Sequence, residues 1–341
     1  MTTRKDIENA LMRGADTLRD TIDAANYKDY VLPVMFLKYL SDSYADAVEA
    51  LSKQYSGIRL ERQKKYLPFM VAEGCSFYDL YKQRFADNIG QLINAAMRQI
   101  EADNNQQLAG VLSSVDYNSE NALGTREHKN AILRDLLEDF EPLNLRPSVI
   151  EIKEGQVPAD VIGDAYEYMI GQFASMAGKK AGSFYTPAAV SEIMARIVNV
   201  QPGERVYDPT CGSGSLLIKA AKKQNSKEVS IYGQEVNGSS VAMAKMNMYI
   251  HEIRDAKIGW GDTLANPVFL DADGNLLLFD AIVANMPFSK DKWASGFNPG
   301  GESSGKGKKE FKMEASLDKF HRFDWGVPPA SKGDWAFLLH M

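Results

Sequence analysis

A helical N-terminal domain followed by a doubly wound α/β domain is the architecture predicted by three features of the sequence. Apolar residues recur at helical spacing through the first half, with little alternation of period two. From about residue 205 strand-like runs alternate with helical ones. The first of those runs opens into a Gly-rich turn and then a helix, the junction at which such sheets bind ligands.

In the first half, Ile7, Leu11, Leu18 and Ile22 mark one helical face, and 30–51 a second long amphipathic segment with Pro33 near its start. The pattern repeats over 85–102 and 127–140. Helices packed on one another suit assembly or docking better than catalysis. The texture changes at Pro142–Pro147, which predicts a helical domain over 1–147 and an α/β domain over 148–341. A helix is expected over 158–176, followed by a Gly- and Lys-rich loop at 177–183. Strands are expected over 205–208, 229–234, 257–261 and 277–284, with helices over 215–224 and 239–253 between them. The fourth strand is apolar enough to lie centrally in a parallel sheet. The stretch 289–332, rich in Gly, Ser and Lys and including Gly305–Lys309, reads as a solvated loop or as a mobile loop that meets phosphate groups and orders on binding.

The chain of 341 residues is 45% hydrophobic and 25% charged, enough to bury two cores. No run approaches the roughly 18 uncharged apolar residues of a membrane span, and the N-terminus lacks the apolar core of a signal peptide. Cys75 and Cys211 are too few for a disulfide scaffold or a structural zinc site. A cytoplasmic protein without metal is expected. The net charge of −6 argues against unaided coating of nucleic acid. DNA stays open as a substrate if positive potential is local or comes from a partner.

Two loops carry the chemistry. Asp208-Pro209-Thr210-Cys211-Gly212-Ser213-Gly214-Ser215 joins a strand to a helix. Its glycines permit a sharp turn and close approach to a ligand, and the helix start offers free N–H groups. Glu235 ends the next strand, placed to accept from ribose hydroxyls. A tight turn without ligand, or a dinucleotide such as NAD, would also fit. Two acids favour S-adenosylmethionine instead. Asp208 suits an amino group better than a pyrophosphate, and Asp262 ends the third strand where an adenine amino group would lie. Cys211 reads as a small packed residue, because no histidine motif accompanies it.

The second loop, Asn285-Met286-Pro287-Phe288, ends the fourth strand. An adenine amino nitrogen is a poor nucleophile because its lone pair is delocalised into the ring. The Asn285 amide oxygen and the Met286 carbonyl can accept its two hydrogens and favour the pyramidal form, and Phe288 can stack on an extruded base. Asn-X-Pro turns are common at strand ends; the position after Glu235 and Asp262 is what makes this one informative.

With these motifs the chain resembles the modification subunit of type I restriction–modification systems over nearly its whole length. The resemblance implies a helical domain and a Rossmann-like, S-adenosylmethionine-dependent amino-methyltransferase domain acting on adenine N6 of double-stranded DNA. It implies that Ser183, Phe184, Tyr185, Thr186, Pro187 and Ala188 form a loop closing over the cofactor. Arg322–Pro329 and Gly333–Phe337 would lead into a helix flanking the site. It also implies a specificity subunit that reads the DNA and a restriction subunit that can join, with the helical domain clamping DNA and assembling the complex. Two departures follow. The family usually has Asn-Pro-Pro-Phe, so Met286 loosens the turn. The chain stops at Met341, before further strands of that family, so an incomplete sheet, self-association and impaired activity are expected. Amino-methyltransferases of protein or RNA use similar turns. An inactive assembly subunit, or more distantly a nicotinamide oxidoreductase, is the alternative class.

Overall fold

The computed structural model describes residues 1–55, 64–178, 185–222, 228–288, 290–298 and 311–341. The chain forms two compact units, Met1–Ala181 with Lys245–Arg254, and Gly182–Ala244 with Asp255–Met341.

The first unit is helical among its described residues. Helix α1 (Arg4–Thr17) starts on a capping box, in which Thr3 and Asp6 satisfy each other's backbone N–H groups at 3.2 and 2.8 Å. Helix α2 (Tyr27–Gln54) runs through Pro33 without ending. It buries Lys38 and Asp42 as an ion pair 2.8 Å apart, and Asp42 also accepts from the Leu145 N–H at 2.6 Å. A buried charge pair is tolerated only with such added bonds; here they fix the chain after the helical segment. Helices α3 (Phe77–Lys82), α4 (Ile89–Asp103), α5 (Arg126–Phe140) and α6 (Pro158–Ala177) complete the unit with shorter turns. The helix expected over 85–102 begins at Ile89, and Phe85 is exposed in the loop before it. In α6, a Cβ on Gly163 would lie 2.1 Å from the buried His251 ring, so glycine makes room for it.

The second unit holds the sheet. Strands β1 (Arg205–Asp208), β2 (Ser230–Glu235), β3 (Lys257–Trp260) and β4 (Ala281–Ile282) are all parallel, in the order β3-β2-β1-β4. Helices α7 (Ala188–Val198) and α8 (Ser215–Lys222) pack together. Helix α9 (Gly238–Ile250) starts in this unit, and α10 (Gly333–His340) follows β4. From β1 the chain moves first to β2 on one side and later to β4 on the other. This reversal opens a crevice at the carboxyl ends of β1 and β4.

The fourth strand is much shorter than the expected 277–284 and ends the strand order rather than lying centrally. Competition from a local hairpin explains the loss. Asp271 accepts from the Asp273 and Asn275 N–H groups at 2.9 Å, turning the chain so that Leu276 bridges to Leu270 and the Leu277 N–H bonds the Phe269 carbonyl at 3.0 Å. Only Ala281 and Ile282 remain to pair with Val206 and Tyr207.

The stretch after β4 is also not simply a solvated loop. Trp293, Ala294, Met313 and Phe323 form a buried cluster with Leu264, Ala336 and Phe337. Gly305–Lys309 lies outside the described residues. Arg322, only 4% exposed in its side chain, ties this stretch to the turn after β3. It pairs with Asp318 at 2.8 Å and donates to the carbonyls of Leu264 and Thr263 at 2.6 and 3.4 Å. Burial pushes the Asp318 carboxyl up, but the bonds and charge of Arg322 outweigh it and hold the group below the usual carboxylate range.

Candidate active site

The loop after β1 is shaped by the strand beneath it. Gly212 and Gly214 adopt φ of 51° and 76°, in the left-handed region that favours glycine. The Cys211 N–H bonds the Gln234 carbonyl at 3.0 Å, and the Gly214 N–H bonds the Cys211 carbonyl at 2.7 Å. A Cβ on Gly233 would come within 2.9 Å of Cys211 Sγ and 3.0 Å of Leu217. This glycine of β2 therefore lets the loop press onto the sheet. Sequence reasoning passed over it, although a glycine inside a strand is itself a signal of close approach. Cys211 is buried, and burial pushes its thiol well above the usual value.

Three acids stand at successive strand ends. Asp208 is 2% exposed and accepts from the Thr210 N–H at 2.9 Å. Burial raises its carboxyl to about 7, with the nearby Glu235 charge adding to the rise against the bond from Thr210. Glu235 is buried, which raises its carboxyl, while Gly212 and Asn237 donate backbone N–H bonds at 3.0 and 2.8 Å, one to each oxygen. Asp262 turns the chain after β3, its Oδ1 accepting from Leu264 and Ala265 at 2.9 and 3.3 Å. That turn is tied to the β1 loop by Thr263 Oγ1, which donates to the Pro209 carbonyl at 2.6 Å.

A small cavity opens beside the β1 loop. It gathers Tyr185, Thr186, Asp208, Gly212, Ser213, Ser215 and Asn285 from the expected set, and also Thr210, Cys211 and Leu216. Asn285 Nδ2 donates to Thr186 Oγ1 at 3.1 Å, joining segments 99 residues apart. Of the other expected residues, Pro187 caps α7, Pro209 and Gly214 belong to the loop's frame, and Ala188 starts α7. Glu235, Asp262, Pro187, Ala188, Pro209, Gly214, Met286, Pro287 and Phe288 are not among the residues lining this cavity. Met286 packs its side chain against the Trp293–Phe337 cluster, whereas Phe288 is 79% exposed. Ser183 and Phe184 lie outside the described residues. Among the described residues no cluster of His, Cys, Asp or Glu is placed to hold a metal, and no helix is long and apolar enough to cross a membrane.

The N-6 DNA Methylase family matches residues 157–341, and the HsdM N-terminal domain matches residues 7–140. The MpnII type I restriction enzyme methylase subunit of Mycoplasma pneumoniae is 29% identical, over 99% of this chain and 65% of its own length. The MjaVIII methylase subunit of Methanocaldococcus jannaschii is also 29% identical, over 96% of this chain and 53% of its own length. This chain thus spans between about half and two-thirds of these relatives. The crystal structure of a type I restriction–modification methyltransferase subunit from Streptococcus thermophilus aligns with a TM-score of 0.73 and 30% identity, covering 99% of this chain and 71% of that one. The chain belongs to the N-6 DNA methylase family, among the methyltransferase subunits of type I restriction–modification systems.

Proposed function

We propose that this chain carries the methyl-transfer site of a DNA adenine-N6 methyltransferase using S-adenosylmethionine. The observation that carries the reading is the meeting of Asn285 with the Asp208 loop in one cavity. The donor set fits the cofactor. Asp208 is a buried carboxylate whose bond among the described residues comes from Thr210, and it is suited to a methionine ammonium. Each Glu235 oxygen already accepts one N–H bond and retains capacity for a ribose hydroxyl. Asp262 Oδ1 is taken by turn amides, which leaves Oδ2 for an adenine amino group.

The bound cofactor supplies a methyl group on a cationic sulfonium, so no base is needed before attack. Asn285 Oδ1 and the Met286 carbonyl accept the two hydrogens of the target amine, and exposed Phe288 offers a face to the extruded base. Met286 lacks the fixed φ of proline, but its packing against the Trp293–Phe337 cluster anchors the turn. Sequence choice and much of the DNA affinity are assigned to a specificity subunit, consistent with the net charge of −6. A restriction subunit joins in the full complex, and the helical first unit serves assembly and DNA clamping. The cytoplasm is the compartment where such DNA is met.

The Asn285→Ala variant tests the reading. With the cognate specificity subunit and labelled cofactor, methyl incorporation into adenine should fall about 100- to 1000-fold, while calorimetry shows cofactor binding near wild type. Full turnover by the variant, or failure of the wild-type chain to bind S-adenosylmethionine, would reject it.

A further inference from the structure

We propose that Thr186 is a positioning residue that sets which end of the Asn285 amide faces the target amine, and so joins the cofactor cavity to the target-base turn. The inference rests on the proposed methyl-transfer reading. A carboxamide carries its oxygen and nitrogen at nearly equivalent positions, and only its hydrogen bonds decide which atom faces which way. Presenting the amide reversed would aim two donors at an amine that itself offers hydrogens.

In this structure Asn285 Nδ2 donates to Thr186 Oγ1 at 3.1 Å. A threonine hydroxyl can donate as well as accept, so the orientation is fixed once its proton is engaged elsewhere: the amide nitrogen then turns toward Thr186 and Oδ1 is left for the substrate. The threonine is held in place by its own backbone. Pro187 follows it, which restricts Thr186 to extended conformations. The Pro187 carbonyl in turn accepts from Val190 and Ser191 at 2.9 and 3.0 Å as α7 begins. Thr186 and Asn285 both line the cavity beside Asp208. A hydroxyl has one proton and two lone pairs. With one lone pair accepting from Asn285, the proton is free to answer an acceptor inside the cavity, so a ligand seated there fixes the hydroxyl that fixes the amide.

The test compares Thr186→Val, which keeps the shape and removes the hydroxyl, with Thr186→Ser, which keeps the hydroxyl. Both are assayed as the complex with the specificity subunit on cognate DNA, with cofactor affinity measured by calorimetry. For the valine variant we expect kcat at saturating cofactor to fall roughly 10- to 100-fold, as misplacement of a reacting group does, with KM for DNA within about threefold of wild type and cofactor affinity lowered by no more than about tenfold, the scale of one neutral hydrogen bond to the ligand, and serine to restore kcat to within about threefold. A purely structural role would instead lower thermal stability in proportion to the loss of rate, and a pure binding role would leave kcat at saturating cofactor unchanged. Wild-type kcat in the valine variant overturns the proposal. So does a loss carried wholly by cofactor affinity, or a serine variant no better than valine. If the wild-type complex transfers methyl and Asn285→Ala does not, these outcomes reject the role of Thr186 alone. If Asn285→Ala turns over normally, the underlying reading fails first.

Discussion

Replacing Asp208 with asparagine is expected to weaken S-adenosylmethionine binding at pH 8 by about 100-fold, the scale of losing a charged hydrogen bond from a buried site. Burial holds the carboxyl of the ligand-free protein at about 7. A ligand ammonium beside it favours the charged form and lowers that value, so binding below pH 7 must expel a proton. Wild-type affinity should then fall by up to about tenfold for each pH unit below 7, and the asparagine variant should be weak and flat. Calorimetry between pH 5.5 and 8.5, in two buffers of different ionisation enthalpy, counts the protons released. A wild-type affinity independent of pH between 6 and 7 would contradict the assignment. The ligand-free stability moves the other way. A carboxyl raised by folding gives stability that is fully present below its unfolded value of 3.8 and lost as pH rises through about 7. At pH 8 the asparagine variant should therefore be the more stable protein, by a few kcal/mol at most, while binding worse.

Arg322→Ala should be the most damaging change for folding of the second unit. It strips the cation from Asp318, 1% exposed in its side chain, and removes donors from the Thr263 and Leu264 carbonyls. Breaking a buried pair in this way costs about 3–5 kcal/mol. Urea unfolding followed by tryptophan fluorescence would report it through Trp293, in the same cluster as Phe323. Lysine should recover only part of the loss, since a point charge cannot match the fork that meets the carboxylate and both carbonyls. A loss under about 1 kcal/mol would show that the pair contributes little. Arg322 also donates to His340 Nδ1 at 3.0 Å, and burial together with the Arg322 charge pushes that imidazole down to about 4. As pH falls from 6.5, the unfolded chain takes up this proton before the folded one, so stability is lost between pH 6.5 and about 4. Without Arg322 the depression eases and that window narrows.

Much of the site was legible because its parts are local. Arg205–Asp208, the glycine loop and Ser215 lie within eleven residues, and the strand, turn and helix there each have their own pattern. The helices of the first half were legible through their period, although α4 starts later than the apolar pattern suggests. What could not be read depends on distant or aperiodic pairings. The Thr186–Asn285 bond spans 99 residues and leaves no spacing to recognise. Trp293, Met313, Phe323 and Phe337 have no common period, and Gly, Ser and Lys around them disguise a core as a loop. The run 277–284 reads as a strand by composition, but the Asp271 turn captures its first residues for a hairpin.

The seat of Cys211 on Gly233 gives the protein an internal chemical clock. The chain has two cysteines, Cys75 half-buried and Cys211 buried. Cys211 is 5% exposed where it lines the cavity, so an alkylating reagent meets it slowly, and faster when the glycine loop lifts off β2; its rate of modification therefore reports on that local opening and on access through the cavity. Cys75, in the other unit, supplies a reference reaction in the same molecule. Slowing of the first reaction relative to the second on adding a ligand would report occupancy of the loop without any methyl being transferred.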